Sequence, residues 1–308
     1  MAVAIVFKQE TVRQVVVSQT PQKNQFSSIQ TAINASMQWM EPCEIIIESG
    51  DYHESLKIYR NDLSLIGQGT VCIKSCFAAC QTYQEKQRGT FQTATLFING
   101  QNIHLQHLTI LNEAGFGNEV GQAVAVHIEG TGVSFEHCVI QGFQDTLCLG
   151  PVPRLNKDGS ALDNPWLKQT FEQQYSVFNF CRIEGTVDFI FGGGNATFRF
   201  CHLHARASAQ TNYLTAAATP LFNSGMYFLK CQITGEKSYF LGRPWRKYAR
   251  TLFEECLFDD YLQKVGWSDW QKLEHHRTVR YKERNCLYSA KPDRASWLSI
   301  EGASWHEK

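Results

Sequence analysis

The stretch SVFNFCRIEGTVDFIFGGGNATFRFCHLHA, residues 176–205, contains one short pattern twice. In SVFNFCRIEG (176–185) and in ATFRFCHLHA (196–205), the third residue is phenylalanine and the sixth is cysteine. Both copies are rich in residues that favour strands, and residues that favour turns follow the first copy. The stretch therefore predicts two successive turns of one repeating β structure.

The same pattern recurs elsewhere in the chain. Its other copies are IHLQHLTILN (103–112), VSFEHCVIQG (133–142), MYFLKCQITG (226–235) and TLFEECLFDD (251–260). The sixth positions are 108, 138, 181, 201, 231 and 256, and every one except Leu108 is a cysteine. Self-similarity at a few tens of residues is typical of a solenoid, and repeats made only of strands predict a β-helix. We therefore expect an all-β chain that forms a single parallel β-helix domain over residues 1–308.

One helix is expected before the repeats. Within FSSIQTAINASMQWM (26–40), the apolar residues have helical spacing, and Ser27 and Ser28 are candidates for the N-cap. Short β-rich runs follow at 44–48, 63–66, 94–98, 103–111 and 123–128. Residues 1–7 are apolar without a basic lead or a cleavage site, which favours a strand over a signal peptide.

Composition excludes some classes of partner. The 308 residues contain 29 basic and 29 acidic side chains, so the clustered positive charge that phosphate binding requires is missing and no nucleic acid is expected. No apolar tract is long enough to span a membrane, so no membrane partner is expected either. We expect a monomer.

The cysteines indicate a reducing compartment. Eleven is an odd number, and the cysteines at the sixth positions are expected to stack as a ladder of small side chains in the core, without disulfides or a metal. Cys72, Cys76 and Cys80 have a spacing that could bind a metal, but no nearby residue completes a tetrahedral set. We expect a cytoplasmic location, with secretion after removal of a leader as the alternative.

Two carboxylates lie in apolar surroundings. Asp188 lies within VDFIF (187–191), and Asp145 follows Gln144 in GFQDTL (142–147). Moving an ionised carboxylate out of water costs several kcal/mol unless a cation or hydrogen-bond donors hold it. Each aspartate could instead serve in a turn beside glycine, and for Asp145 alone the two interpretations are equally good. Two half-buried carboxyl groups otherwise indicate divided catalytic roles.

Two further segments bear on this site. Arg243 in LGRPW (241–245) could bind a buried carboxylate through two parallel hydrogen bonds, although a surface arginine beside a packing tryptophan is equally plausible there. Residues 150–170, GPVPRLNKDGSALDNPWLKQT, are rich in Pro, Gly, Asn and Asp. They predict a loop inserted between the coils that carry the two aspartates, where it could contact a substrate.

Together these segments resemble the pectin methylesterase family. The matching stretches are TFQTAT (90–95), LNEAG (111–115), GQAVAV (121–126), GFQDTL (142–147), EGTVDFIFG (184–192), LGRPW (241–245) and GWSDW (266–270). They occur in the family's order and cover most of the chain. The resemblance implies a right-handed parallel β-helix that hydrolyses galacturonate methyl esters, in pectin or in methylated oligogalacturonides, and that needs no cofactor.

The resemblance also implies a role for each site residue. Asp188 would be the nucleophile, held by Arg243, and Asp145 the general acid and base. Amide donors for the oxyanion would come from Gln122 and Gln144. The sugar-binding cleft would be lined by Trp245 and Phe191.

The chain departs from the family at three places. Cys148 replaces the tyrosine of the family's QDTLY motif, residues 215–217 read TAA where the family has TAQ, and the 150–170 loop lengthens one wall of the cleft. These departures concern the preferred substrate. If the protein is cytoplasmic, it would act on short imported oligogalacturonides, with the loop closing one end of the cleft.

Other functions remain open from the sequence. A carbohydrate-binding β-helix with a dead site is one, and an esterase or thioesterase for another acyl group is a second. A polysaccharide lyase or polygalacturonase could share the fold, because a fold does not assign chemistry. Release of methanol from a methylated substrate distinguishes the family activity from all of these.

The cysteine ladder generates a testable prediction. Thiol titration in denaturant, without reductant, should find most of the eleven cysteines reactive, because small buried cysteines need no partner. Repeating the titration after reduction gives the control value. A large gain of thiols on reduction would reveal disulfides and contradict the prediction.

Overall fold

The computed structural model describes residues 11–156 and 158–305. The strand predicted for residues 1–7 lies outside them. The described chain winds into a right-handed parallel β-helix, as predicted. Successive coils place their strands in three stacked sheets, and within each stack neighbouring strands are parallel and in register.

The sheets are named here by their order along a coil. The first sheet contains Arg13–Val17, Cys43–His53, Leu63–Ser75, Gln101–Gln106, Thr131–Glu136, Tyr175–Asn179, Asn195–Arg199, Met226–Leu229, Arg250–Glu254, Arg280–Arg284 and Ser299–Glu301. The second contains Thr109–Asn112, Val139–Gln141, Arg182–Gly185, His202–Ala205, Gln232–Gly235, Leu257–Phe258, Leu287–Tyr288 and Ser304–Trp305, and the long strands Cys43–His53 and Leu63–Ser75 continue into it. The third, seven-stranded sheet contains Leu56–Ile58, Leu96–Ile98, Val126–Ile128, Leu147–Leu149, Ile190–Gly192, Asn212–Ala217 and Tyr239–Pro244.

Helices are few in the described chain. The α-helices are Ile29–Ser36 and Gly117–Val120, and the 3-10 helices are Thr90–Gln92 and Leu273–Arg277. A small antiparallel hairpin joins Thr82–Tyr83 to Lys86–Gln87. Within the part of the chain that the structure describes, no helix has the length and apolar character needed to cross a membrane.

The N-terminal helix is shorter than the interval 26–40 that the spacing predicts. Phe26 forms a parallel bridge to the first strand, so it cannot be helical. The helix Ile29–Ser36 begins after Ser28, whose side chain caps it, and the Glu54 carboxylate accepts hydrogen bonds from two backbone N–H groups of its first turn. Its start is therefore fixed by contacts to distant residues, which local periodicity does not reveal.

A sharp corner separates the first sheet from the second in every repeat. The residue before the sixth position has a left-handed backbone conformation: His107 (φ 54°), His137 (51°), Phe180 (54°), Phe200 (54°), Lys230 (53°), Glu255 (52°) and Asn285 (51°). This corner divides the predicted run 103–111 into two strands, Gln101–Gln106 and Thr109–Asn112. Such a conformation is uncommon for residues other than glycine, and the stacking of equivalent corners enforces it here.

The repeat pattern describes two columns of side chains in the core. The third positions form a stack of Phe135, Phe178, Phe198, Phe228 and Phe253, with neighbouring ring centroids 4.5–4.9 Å apart. The cysteines of the sixth positions form the second column, as predicted, and all are buried. The column has one more member than predicted, because Cys286 continues it in YKERNCLYSA (281–290).

The pattern did not detect this last repeat because its third residue is Glu283, whereas the other repeats have an apolar residue there. This residue lies in the strand next to Phe253, and only 2% of it is exposed. Its carboxylate accepts hydrogen bonds from both Nε and Nη2 of Arg294, at 2.8 and 2.7 Å, and from the Trp267 indole and the Tyr288 hydroxyl. A fully bonded ion pair therefore ends the phenylalanine stack.

The phenylalanine stack supports a stability prediction. Phe198 is fully buried between two rings, so Phe198→Ala should lower the free energy of unfolding by about 3–5 kcal/mol. Phe200, in the same repeat, is 50% exposed, so Phe200→Ala is a matched control and should cost far less. Urea denaturation of both variants measures the difference. Equal losses would show that the inner column does not dominate stability.

Candidate active site

The floor of the site is one row of side chains on the outer face of the third sheet. Register pairing aligns the row in the order Phe97, His127, Cys148, Phe191, Ala216 and Arg243. Because side chains alternate between the faces of a strand, each of these residues lies above an apolar layer of the core. Arg243 thus stands in the same row as Phe191, although the two are far apart in the sequence.

The two aspartates occupy equivalent turns in neighbouring coils. Asp145 precedes the strand Leu147–Leu149 by two residues, and Asp188 precedes Ile190–Gly192 by two residues. Both have a left-handed backbone conformation, with φ values of 64° and 51°, which aspartate tolerates better than most residues. A hydrogen bond of 3.0 Å from the Asp145 N–H to the Val187 carbonyl stacks one turn on the other. The repeat geometry therefore brings the two carboxyl groups to the same edge of the sheet.

Asp188 is held by Arg243 through two hydrogen bonds. Nε donates to Oδ1 and Nη2 to Oδ2, both at 2.8 Å, and the two side chains are 16% (arginine) and 10% (aspartate) exposed. The guanidinium lies 4.0 Å from the ring centre of Tyr213 and 3.9 Å from that of Trp270. Two aromatic faces therefore fix the plane of the guanidinium, and with it the orientation of the carboxylate.

The surroundings make the two carboxyl groups unequal. Burial raises the pKa of Asp188, but its hydrogen bonds and attraction to Arg243 oppose that change. Burial raises the pKa of Asp145 well above its ordinary value, and the negative charge of Asp188 raises it further. Asp145 is thus the carboxyl group that keeps a proton to higher pH, while Asp188 has a cation to hold it ionised.

Two glutamine amides border the same cleft. Gln122 precedes the strand Val126–Ile128, and Gln144 is adjacent to Asp145. The side chain of Gln144 packs directly against the backbone of Gly117 at the start of the helix Gly117–Val120, where a Cβ atom would collide with its Oε1. Only glycine allows this close approach, so that short helix limits where the amide can lie.

All seven residues predicted for the site line one cleft of about 440 Å³. Asp188, Asp145, Gln122, Gln144 and Arg243 lie together there, with the rings of Trp245 and Phe191 5.9 Å apart beside them. Sequence reasoning missed Tyr213 and Trp270, which sandwich the guanidinium. The motif GWSDW contains Trp270 and was the available signal, whereas Tyr213 has no local signal of this kind.

The 150–170 insertion forms part of the cleft wall. Its residues Asn156, Leu162 and Asp163 line the cleft with the aspartates. The buried carboxylate of Glu129 anchors the segment, because it accepts hydrogen bonds from the Val152 N–H (3.2 Å), the Asn164 amide (3.4 Å) and the Gln174 amide (3.1 Å). These bonds attach the segment to the β-helix near its start, in its second half and four residues after its end.

The described residues contain no group of three or more His, Cys, Asp or Glu side chains arranged to hold a metal ion. Cys76 and Cys80 are exposed and Cys72 is half-buried.

The fold and the cleft together define a class, namely parallel β-helix proteins with two carboxyl groups in one cleft on the third sheet. A family model described as Pectinesterase matches residues 14–151 and 168–306 of this chain. The chain therefore belongs to the pectinesterase family. The model leaves most of the 150–170 insertion unmatched.

Individual relatives agree with this assignment. Putative pectinesterase 14 of Arabidopsis thaliana is 30% identical over 268 residues, which is 85% of this chain and 74% of that protein. The solved structure of pectin methylesterase PemA from Erwinia chrysanthemi has a TM-score of 0.76 at 26% identity, covering 94% of this chain and 93% of that one. A pectin methylesterase in complex with a hexasaccharide has the same TM-score at 25% identity, with the same coverage.

The curated relatives are longer than the region they share with this chain. The match covers 74% of Putative pectinesterase 14 but only 48% of probable pectinesterase/pectinesterase inhibitor 58, also from Arabidopsis thaliana, at 28% identity and 91% coverage of this chain. The chain thus spans between about half and three quarters of these two proteins.

The raised pKa of Asp145 generates a stability prediction. Below the pKa of the unfolded chain both states hold this proton, and as the pH rises towards the folded pKa only the folded state keeps it, so stability falls. Asp145→Asn removes that loss and should raise the melting temperature at pH 7 and flatten its decline above pH 4. Asp163→Asn, on the exposed part of the same cleft, is the control. A lower melting temperature for Asp145→Asn at pH 7 would contradict the burial argument.

Proposed function

We propose that this chain hydrolyses the methyl esters of galacturonate residues and releases methanol. One observation carries the proposal: a carboxylate and an arginine, joined by two hydrogen bonds, lie at the floor of an open cleft beside a second carboxyl group with a raised pKa. Membership of the pectinesterase family supports it. The substrate is pectin or a methylated oligogalacturonide, and no cofactor takes part.

In the first half of the reaction, the Asp188 carboxylate attacks the ester carbonyl carbon. The carbonyl oxygen becomes an oxyanion, which accepts hydrogen bonds from the Gln122 and Gln144 amides. As the bond to the methoxy oxygen breaks, the Asp145 carboxyl group gives that oxygen its proton and methanol leaves. The product is a covalent anhydride between the galacturonyl group and Asp188.

In the second half, water releases the product. The Asp145 carboxylate, now without its proton, accepts a proton from a water molecule that attacks the anhydride carbonyl. Cleavage restores ionised Asp188 and protonated Asp145 and frees the galacturonic acid, which loses its proton to solvent and leaves as a carboxylate. Arg243 is bound to Asp188 before the reaction and again after the product has left. Its stacked guanidinium leaves the carboxylate little freedom to rotate.

Two aromatic residues provide the sugar contacts in this proposal. Trp245 offers a half-buried apolar face to the cleft, and Phe191, only 3% exposed, lines the cleft next to it. Sugar rings pack against such apolar surfaces through their C–H groups. A carbohydrate-binding protein without activity would use the same two rings. It would have no need for a second carboxyl group with a raised pKa, which favours catalysis.

Substitution of the two aspartates tests the roles. Asp188→Asn should abolish methanol release because the amide cannot form the anhydride, and circular dichroism should remain that of the wild type. Asp145→Asn should be most impaired with a methyl ester and least with an ester of a more acidic alcohol, because such a leaving group needs no proton. Gln144→Ala should lower kcat by about 10²–10³. Near-normal turnover by Asp188→Asn would refute the covalent mechanism.

We further propose that the chain acts as a monomeric, single-domain enzyme of the cytoplasm. The eleven cysteines all occur as thiols, and those of the ladder are buried in the core, which suits a reducing compartment. Polymeric pectin would not reach an enzyme there, whereas imported fragments would. Secretion remains the alternative.

Substrate length distinguishes the two locations. If the enzyme serves imported fragments, kcat/KM for a methylated hexagalacturonate should equal or exceed that for long-chain pectin, when both are expressed per ester group. Wall residues of the insertion, such as Leu162, would then limit the length of chain that fits. A clear preference for the polymer would overturn the cytoplasmic proposal and leave the esterase activity intact.

A further inference from the structure

One turn beside the cleft has a strained backbone. Trp270 and Gln271 both have left-handed conformations, with φ values of 56° each. Residues other than glycine keep such conformations only where surrounding contacts hold them. The Ser268 hydroxyl accepts a hydrogen bond from the Trp270 N–H at 3.2 Å, and the Asp269 carboxylate accepts one from the Gln271 N–H at 2.9 Å. Specific contacts therefore hold the turn that presents Trp270 to Arg243.

Lys272 follows this turn and attaches it to the third sheet. Its half-buried side chain donates hydrogen bonds from Nζ to the carbonyl of Pro244, at 2.6 Å, and to that of Trp245, at 3.2 Å. These two residues directly follow Arg243, where the last strand of the third sheet ends. The lysine thus connects the turn that carries Trp270 with the segment that carries Arg243 and Trp245.

The same ammonium group contacts the ring of Trp270. Nζ lies 4.1 Å from the Trp270 ring centre, and the guanidinium of Arg243 lies 3.9 Å from the ring centre. The face of an aromatic ring attracts cations, and an ammonium bound to two carbonyls has little freedom to leave it. Lys272 therefore limits the movement of the ring, and the ring limits the orientation of the guanidinium that binds Asp188.

Lys272 also acts on Asp188 through its charge. Burial raises the pKa of Asp188, whereas its hydrogen bonds and attraction to Arg243, and then its attraction to Lys272, oppose that rise. Two acidic groups interact with the same carboxylate, namely Asp145 from the preceding coil and the buried hydroxyl of Tyr281 from the first sheet. Burial and the charge of Asp188 raise the pKa of both. Loss of the lysine charge would consequently raise the pKa of Asp188.

We propose that Lys272 is a positioning residue for ester hydrolysis. Its ammonium group joins the strained turn to the carbonyls of Pro244 and Trp245, and so keeps the ring of Trp270 on the guanidinium that aligns Asp188. This inference rests on the proposed function, because the alignment of Asp188 matters for catalysis only if that carboxylate attacks the ester. Lys272 lies two residues beyond the motif GWSDW, outside the stretches that resemble the family.

Substitution of Lys272 tests the role in two ways. Lys272→Met keeps a side chain of similar length without the charge. It should lower kcat on a fully methylated hexagalacturonate by about tenfold and change KM less, because alignment is lost rather than binding. The acid limb of the pH profile of kcat/KM should move to higher pH, because Asp188 then ionises at higher pH. Lys272→Arg keeps the cation and should restore most of kcat and the wild-type acid limb.

Two further variants complete the comparison. Lys247 is exposed and its ammonium group lies 4.8 Å from the ring centre of Tyr248, so Lys247→Met removes an equal charge and is the matched control. It should leave kcat and the acid limb unchanged. Lys272→Gln retains a donor for one carbonyl without the charge, and is used if Lys272→Met does not fold. It should shift the acid limb as Lys272→Met does, with a smaller loss of kcat.

A double variant tests whether Lys272 acts through Trp270. If it does, Trp270→Leu/Lys272→Met should be about as slow at the optimal pH as Trp270→Leu alone, because the ring that the lysine holds is already gone. Multiplied losses of kcat would show that the two residues act independently and would contradict the proposed route. Melting temperatures of all the variants show whether any loss of activity reflects unfolding.

An NMR measurement separates this inference from the proposed activity. The Nε–H of Arg243 is bonded to Asp188 at 2.8 Å, so its signal, assigned by its loss in Arg243→Lys, should exchange slowly with solvent. Exchange should be faster in Lys272→Met and unchanged in Lys247→Met. If the wild type releases no methanol but this pattern holds, the esterase proposal fails and the hold of Lys272 on Arg243 stands. If methanol release is normal but Lys272→Met matches Lys247→Met in kcat, acid limb and exchange, the positioning role is refuted.

Discussion

Every feature of this protein depends on the register between successive coils. Parallel pairing places each residue above the residue that occupies the same position in the coil before it. The phenylalanines at the third positions therefore stack on one another, and so do the cysteines at the sixth positions. The same constraint puts Asp145 beside Asp188, and aligns Phe191 with Ala216 and Arg243. A slip of one residue would turn the core faces outwards and separate the two carboxyl groups.

The repeat pattern predicted the β-helix, and the seven residues predicted for the site all line one cleft. Three of them, Gln122, Phe191 and Trp245, were indicated only by the resemblance to the family. The pattern was readable because the inner column needs one residue type at one position, and Asp188 was conspicuous because nothing in a core strand requires a carboxylate. Tyr213 and Trp270 could not be predicted, because their contact with Arg243 depends on how three separate segments meet in space. The start of the first helix was also hidden, since Phe26 and Glu54 determine it through distant contacts.

The departures from the family become understandable once the insertion is in place. Cys148, where the family has a tyrosine, is fully buried in an apolar cluster with Phe97 and Phe191, and the insertion residues Leu162 and Trp166 pack on that cluster. The insertion thus covers surface of the third sheet that a larger side chain would otherwise occupy. The loop and the small residue beneath it therefore form one unit of packing, which length and composition alone do not reveal.

The ion pair between Glu283 and Arg294 has a consequence for the assembly of the protein. A solenoid built from identical coils has no intrinsic end, and an uncovered stack invites another stack to add to it. Here the aromatic column stops at a carboxylate whose bonding capacity is satisfied by Arg294, Trp267 and Tyr288. One more coil follows, with Ile300 in register on Glu283, so the pair ends the aromatic column without ending the solenoid. This end of the column therefore differs from every earlier coil, and an added aromatic stack finds no matching ring to continue from.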